Sequence, residues 1–144
     1  MAKIVQSLTR PSKEYNQAVA DSQVRDLDGV IIMANSFINK KVDLTTTDLT
    51  TLYTVPAATT AVVKSILVSE DAGSGANITI TLVDASSNIF SLFKTKAISS
   101  NTTTELLTQP LVVQENEIIK VQASDANELH VIASILEIQP REVT

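Results

Sequence analysis

The stretch TTLYTVPAATTAVVKSILVS, Thr50 to Ser69, decides the fold. A tyrosine and a proline stand just ahead of a run in which apolar and small polar residues alternate. Val62, Ile66 and Val68 interleave with Val63, Ser65 and Leu67, the period-two pattern of a half-buried strand. Threonine and valine dominate, and β-branched side chains suit a pleated surface. The same pattern continues downstream. EDAGSGAN, Glu70 to Asn77, has the glycines and Asx residues of a turn. Ile78, Ile80 and Leu82 then alternate with Thr79 and Thr81. ASSN leads into Ile89 to Ala97, and SSNTT leads into Thr104 to Leu107. Pro110 precedes LVV, and Glu117 to Ser124 forms the next strand. DANE opens the last, Leu129 to Ile138, which Pro140 is expected to end. About eight short strands with regular turn signals predict an antiparallel β-sandwich, of jelly-roll or Ig-like type, over residues 45–144.

The first forty residues differ in character. Ser12 stands where a helix cap would, and Glu14 falls in the first turn, where a carboxylate favours the helix dipole. Ala20, Val24, Leu27, Ile31, Ala34 and Ile38 recur at alternating steps of four and three, a heptad seam. Lys40 and Lys41 then occupy the last turn. The expectation is one amphipathic helix over about residues 13–40, opposed by Gly29 at about 1 kcal/mol. Val30, Ile32, Met33 and Phe37 broaden the seam beyond what a two-stranded coil needs. These six seam residues are the candidate oligomerisation and partner interface, and the broad stripe favours a homotrimer. Residues 1–44 are thus expected to attach a sandwich of residues 45–144 to something else.

Composition narrows the function. In a chain of 144 residues, 44% hydrophobic and 19% charged, a single core is affordable without staples. Aromatic residues are only 3%, so Val, Ile, Leu and Ala must fill it. There is no cysteine, which excludes disulfides, thiolate metal sites and cysteine nucleophiles. A net charge of −5 disfavours nucleic acid and anionic lipid as partners. The longest apolar run, Val30 to Ala34, is far too short to span a membrane. The opening MAKIVQSLTRPSKEY has no apolar core of a Sec signal, so synthesis in the cytoplasm is expected.

LYTVPAATTAVV and the closing LEI carry a resemblance. Tyr53, Val55, Pro56, Ala57 and Val63, with Leu136, Glu137 and Ile138, resemble the opening and end of a small β-sandwich module common among tailed-bacteriophage virion proteins. The lead-in SLTRPSKEYNQ, Ser7 to Gln17, is similar to the short helix-opening segments of phage fibre, neck and appendage proteins. One departure is Ala58, where that module often has glycine. The resemblance implies a virion structural or accessory protein, made in the host cytoplasm, with itself and other particle proteins as partners. It carries no catalytic residue.

Chemistry is sparse. His130 is the only histidine and no local motif supplies it with a nucleophile. On strand alternation it shares a face with Ile132, Ser134 and Leu136. EDAGSGAN has oxygen ligands but lacks the spacing of a calcium loop, so a hairpin turn is the expected reading. No enzyme, cofactor or metal site is expected. A glycan- or receptor-binding sandwich is the alternative, although Tyr15, Tyr53 and three phenylalanines offer little for an aromatic sugar platform.

Overall fold

The computed structural model describes residues 30–143, with side chains over 34–139. Nine strands follow one another there, and the described residues contain no helix. They are β1 (Val30–Leu44), β2 (Thr50–Thr54), β3 (Thr60–Glu70), β4 (Ala76–Val83), β5 (Ile89–Ile98), β6 (Thr102–Glu105), β7 (Leu111–Val113), β8 (Ile118–Ala123) and β9 (Leu129–Val143). The main body is Asn35–Gln139.

A five-stranded sheet runs β1-β9-β3-β6, with β7 also on β3, and a four-stranded sheet runs β2-β8-β4-β5. β9 and β3 form the longest described ladder, antiparallel from Leu129↔Glu70 to Ile138↔Thr60. Along its other side β3 carries β6 and then β7, through Leu67↔Glu105 and Val62↔Val112. In the second sheet β8 lies between β2 and β4, and every register described is antiparallel. The core comes from the inward positions of both sheets. Val63, Ile66, Val68, Val131 and Ile135 on one side meet Ile78, Ile80, Ile119 and Val121 on the other. Each such aliphatic side chain contributes about 1.5–3 kcal/mol when fully buried. Tyr53 is the one aromatic among these buried residues, in keeping with the aliphatic core expected from composition.

Several expectations need correction. Residues 30–40 form the first part of strand β1, so the predicted helix cannot extend over them; residues 13–29 of that prediction lie outside the described residues. Ile38 and Val42 pack against the core and Leu44 is 1% exposed. Strand partnering supplies the backbone bonds that a helix would have made internally. Strand β1 ends at Leu44, so the five-stranded sheet draws one strand from the 1–44 segment. β9 continues past Pro140 to Val143. Its ladder with β3 stops at Ile138, so Pro140 removes no donor from that pairing.

The alternation of Val62 with Val63 is also interrupted. Ser134 pairs with Ser65 and Ile135 with Val63, leaving Lys64 as an extra residue in β3. This bulge shifts the parity, so that Ala61 and Val63 face inward before it and Ile66 and Val68 after it.

Candidate functional site

Of the six seam residues, Ala20, Val24 and Leu27 lie outside the described residues. Ile31 belongs to β1, with its side chain outside the description. Ala34 and Ile38 are half-buried and fall on one face, since strand positions four apart share a face. A seam that also needs steps of three cannot persist on a strand. What β1 presents outward is Phe37, 77% exposed, followed by Asn39, Lys41 and Asp43. Among the described residues β1 is also an end strand of its sheet. Such an edge has unpaired backbone donors and acceptors and is a template for another chain.

The outer face of the same sheet carries several apolar residues among polar ones. Leu67 and Ile132 are opposed across the β3–β9 ladder, and both remain exposed. Lower on the sheet, Val62 faces Leu136 on one side and Val112 on the other, and Val112 is exposed. A groove of about 370 Å³ runs beside Val42, Val131 and Ile132, between β1 and β9. Edge strand and apolar face are contiguous through this groove.

His130 also lines that groove, with Asp43 and Lys41. Its Nε2 lies 3.2 Å from Asp43 Oδ1, and its Nδ1 lies 3.7 Å from Asp71 Oδ2. The imidazole thus links the end of β1, the start of β9 and the turn after β3. Its two carboxylate neighbours address opposite ring nitrogens, an arrangement that ties segments together and gives no shared ligand point. Among the described residues no group of three or more His, Asp or Glu is placed to hold a metal.

The EDAGSGAN turn is organised by Glu70, which is 1% exposed. Its carboxylate accepts backbone N–H bonds from Gly73, Ser74 and Gly75 at 3.1–3.2 Å and from Asn101 at 2.8 Å. The Asn101 amide above all, then those of Gly75, Gly73 and Ser74, holds this carboxyl below its ordinary range, against the upward push of burial. Gly73 and Gly75 take positive φ, at 86° and 79°, which wraps the loop around the carboxylate. The acid most suited to ligate calcium is therefore engaged by the chain itself.

Two further carboxylates stabilise the body. Glu105 accepts from the Ser65 hydroxyl and from the N–H groups of Ile66 and Leu107. Burial pushes its carboxyl up, but the hydrogen bonds together bring it below the usual range. Asp84 accepts from the N–H groups of Asn88 and Ser86, closing the ASSN turn.

The two ends of the sequence signature meet in space. Tyr53 in β2 donates its hydroxyl to Glu137 Oε2 in β9 at 2.5 Å, joining the two sheets. Burial first, and then the hydrogen bond and negative charge of Glu137, pushes the phenol above its ordinary range. Ala58 has φ 56°, the left-handed conformation that glycine favours, and its N–H bonds Glu115. This explains why glycine would suit that position. The sequence could not pair Tyr53 with Glu137, or His130 with Asp43 and Asp71, because no local pattern encodes contacts across sheets and loops. Among the described residues no helix is long and apolar enough to cross a membrane.

No protein-family model matches the sequence, and no curated protein matches it. Among solved structures the chain is similar to one from Bacillus endospore appendages, a family of disulfide-linked pili. That match has 11% identity over 80% of this chain and 93% of the other, with a TM-score of 0.44. A chain of the cyanophage Pam1 capsid asymmetric unit matches at 18% identity, over 81% and 89%, with a TM-score of 0.36. A chain of infectious bursal disease virus, Gx strain, matches at 10% identity over 81% of this chain and 33% of its own, with a TM-score of 0.41. All three TM-scores lie below 0.5, and none of these likenesses carries a functional statement for this chain.

Proposed function

We propose that this is a non-enzymatic structural accessory protein of a tailed-phage virion, serving at the neck, tail, fibre attachment or capsid surface. It is made in the host cytoplasm and resides in the particle. Residues 1–44 attach it to copies of itself, as a homotrimer, and to other virion proteins, while their last strand, β1, also completes the five-stranded sheet of the sandwich built mainly from residues 45–144. The observation that carries this reading is the edge of β1, unpaired among the described residues, which bears exposed Phe37 and adjoins a sheet face with exposed Leu67 and Ile132. An edge and a face of that kind suit protein partners. The seam residues Ala20, Val24 and Leu27 precede this strand and belong to the same attaching segment. The virion assignment itself rests on the sequence signature running from Tyr53 to Ile138.

Particles stripped of the protein test both parts. The full-length chain should rebind them, and Phe37→Asp should rebind poorly while keeping the wild-type melting temperature, since Phe37 is exposed in the isolated chain. Sedimentation should give a trimer mass for the wild type. A wild-type chain that stays monomeric and does not bind particles overturns the reading.

A further inference from the structure

We propose that the outer face of the four-stranded sheet carries a binding site for an uncharged saccharide, independent of the assembly role assigned to β1. A groove of about 280 Å³ there is lined by Ala123 and by the polar residues Thr47, Asn77, Thr79, Thr95, Gln122 and Ser124. None of its lining residues is charged, and none is a large apolar residue. This volume falls just below the ~300–1,000 Å³ typical of small-molecule sites, which suits the terminal unit of a longer glycan and not a whole oligosaccharide.

The lining is assembled from three adjacent strands and one loop. Thr79 of β4 lies opposite Gln122 of β8, and the β4–β5 register runs from Ile78↔Lys96 to Ile80↔Phe93. Two residues of β5, Lys94 and Thr95, therefore face the single residue Thr79, a bulge that re-aims the bulged strand. Thr95 takes φ 48°, an uncommon and strained conformation for a β-branched residue. Its N–H donates to Thr79 Oγ1 at 3.0 Å, fixing it at the groove. Bulges and such backbone outliers concentrate where a fold positions side chains for binding.

The polar atoms are partly committed and partly free. Gln122 donates its side-chain amide to the Thr47 carbonyl at 2.9 Å, which orients the amide. Its Oε1 accepts no protein hydrogen bond among the described residues, and the Asn77 side-chain amide makes none there either. Ser124 Oγ accepts from the Asn77 N–H and donates to Asp125. An anion or cation entering this groove would lose hydration and find no opposite charge among the lining side chains. A polyol loses only hydroxyl hydrogen bonds, and amides and hydroxyls, as mixed donors and acceptors, can replace them.

The test uses the full-length protein on an array of neutral, sulfated and sialylated oligosaccharides, followed by amide NMR titration with lactose, maltotriose and mannotriose. Expected are binding to neutral glycans and titration shifts at Thr79, Thr95 and Gln122. Gln122→Ala and Asn77→Ala should each weaken binding about tenfold or more. Asn77→Ala breaks no internal side-chain bond among the described residues, so its melting temperature should stay at the wild-type value. The proposal fails if no neutral glycan binds, if only charged glycans bind, or if binding survives both substitutions.

Discussion

Tyr53→Phe isolates the bond that ties the two sheets together. The ring stays in its buried place, and Lys40 keeps its position over the ring face, 5.9 Å from the centroid. What is lost is a hydrogen bond of 2.5 Å to a carboxylate. Hydrogen bonds to charged groups contribute about 1.5–3 kcal/mol. Glu137 is half-buried and can recover water on its open side, which places the cost near the lower end, about 1.5–2 kcal/mol. For a domain of this size that lowers the melting temperature by about 5–7 °C. The pH dependence supplies a second, independent reading. The native phenol titrates above its ordinary range, so its contribution is fully present below the unfolded-state value near pH ~10. As pH rises further the unfolded chain releases the proton first, the native state binds more protons, and stability falls. Tyr53→Phe removes that part of the alkaline decline. Melts of wild type and variant between pH 7 and 11 check both effects, and a cycle with Glu137→Gln gives the coupling. An unchanged melting temperature at pH 7, or the same alkaline decline in both proteins, refutes the cross-sheet bond.

Leu44→Ala asks whether β1 belongs to the body: burial at 1% exposure predicts a cost of about 2–4 kcal/mol, read by urea unfolding. A negligible cost would mean that the segment does not pack as a strand. Ala58→Gly relieves the left-handed strain at φ 56° but raises unfolded-state entropy by about 0.4–1 kcal/mol, so stability should hold or rise slightly. Ala58→Val, β-branched, should cost more than about 1 kcal/mol, and equal stability for the two variants would contradict the backbone assignment. Glu70→Gln should lower stability at pH 7 and flatten the acid limb. The native carboxyl titrates below its ordinary range, so its contribution is present above the unfolded value and lost as pH falls through the native one. An acid limb identical to that of the wild type would show that the turn amides do not hold this carboxylate.

The sequence by itself determined the class of the fold and the composition of its core. Ile78, Ile80 and Leu82 alternate with threonines, and a period of two needs no distant partner to be legible. The glycines and Asx residues after β3, β4 and β8 likewise mark turns through their own backbone preferences. The scarcity of aromatics left mainly aliphatic side chains to fill the interior. Val30–Leu44 was different, because VIIMANSFINKKVDL has apolar residues at both helical and strand spacings. Its state as a strand was decided by β9, which offers a partner edge along the sheet. The bulge at Lys64 was equally hidden, since it exists only in the pairing of β3 with Ile135 and Ser134. Tyr53 and Glu137 are 84 residues apart, and Thr79, Thr95 and Gln122 come from three different strands. Alternation and turn chemistry are properties of neighbouring residues, whereas pairing, bulges and clustered side chains arise only when separated strands lie side by side.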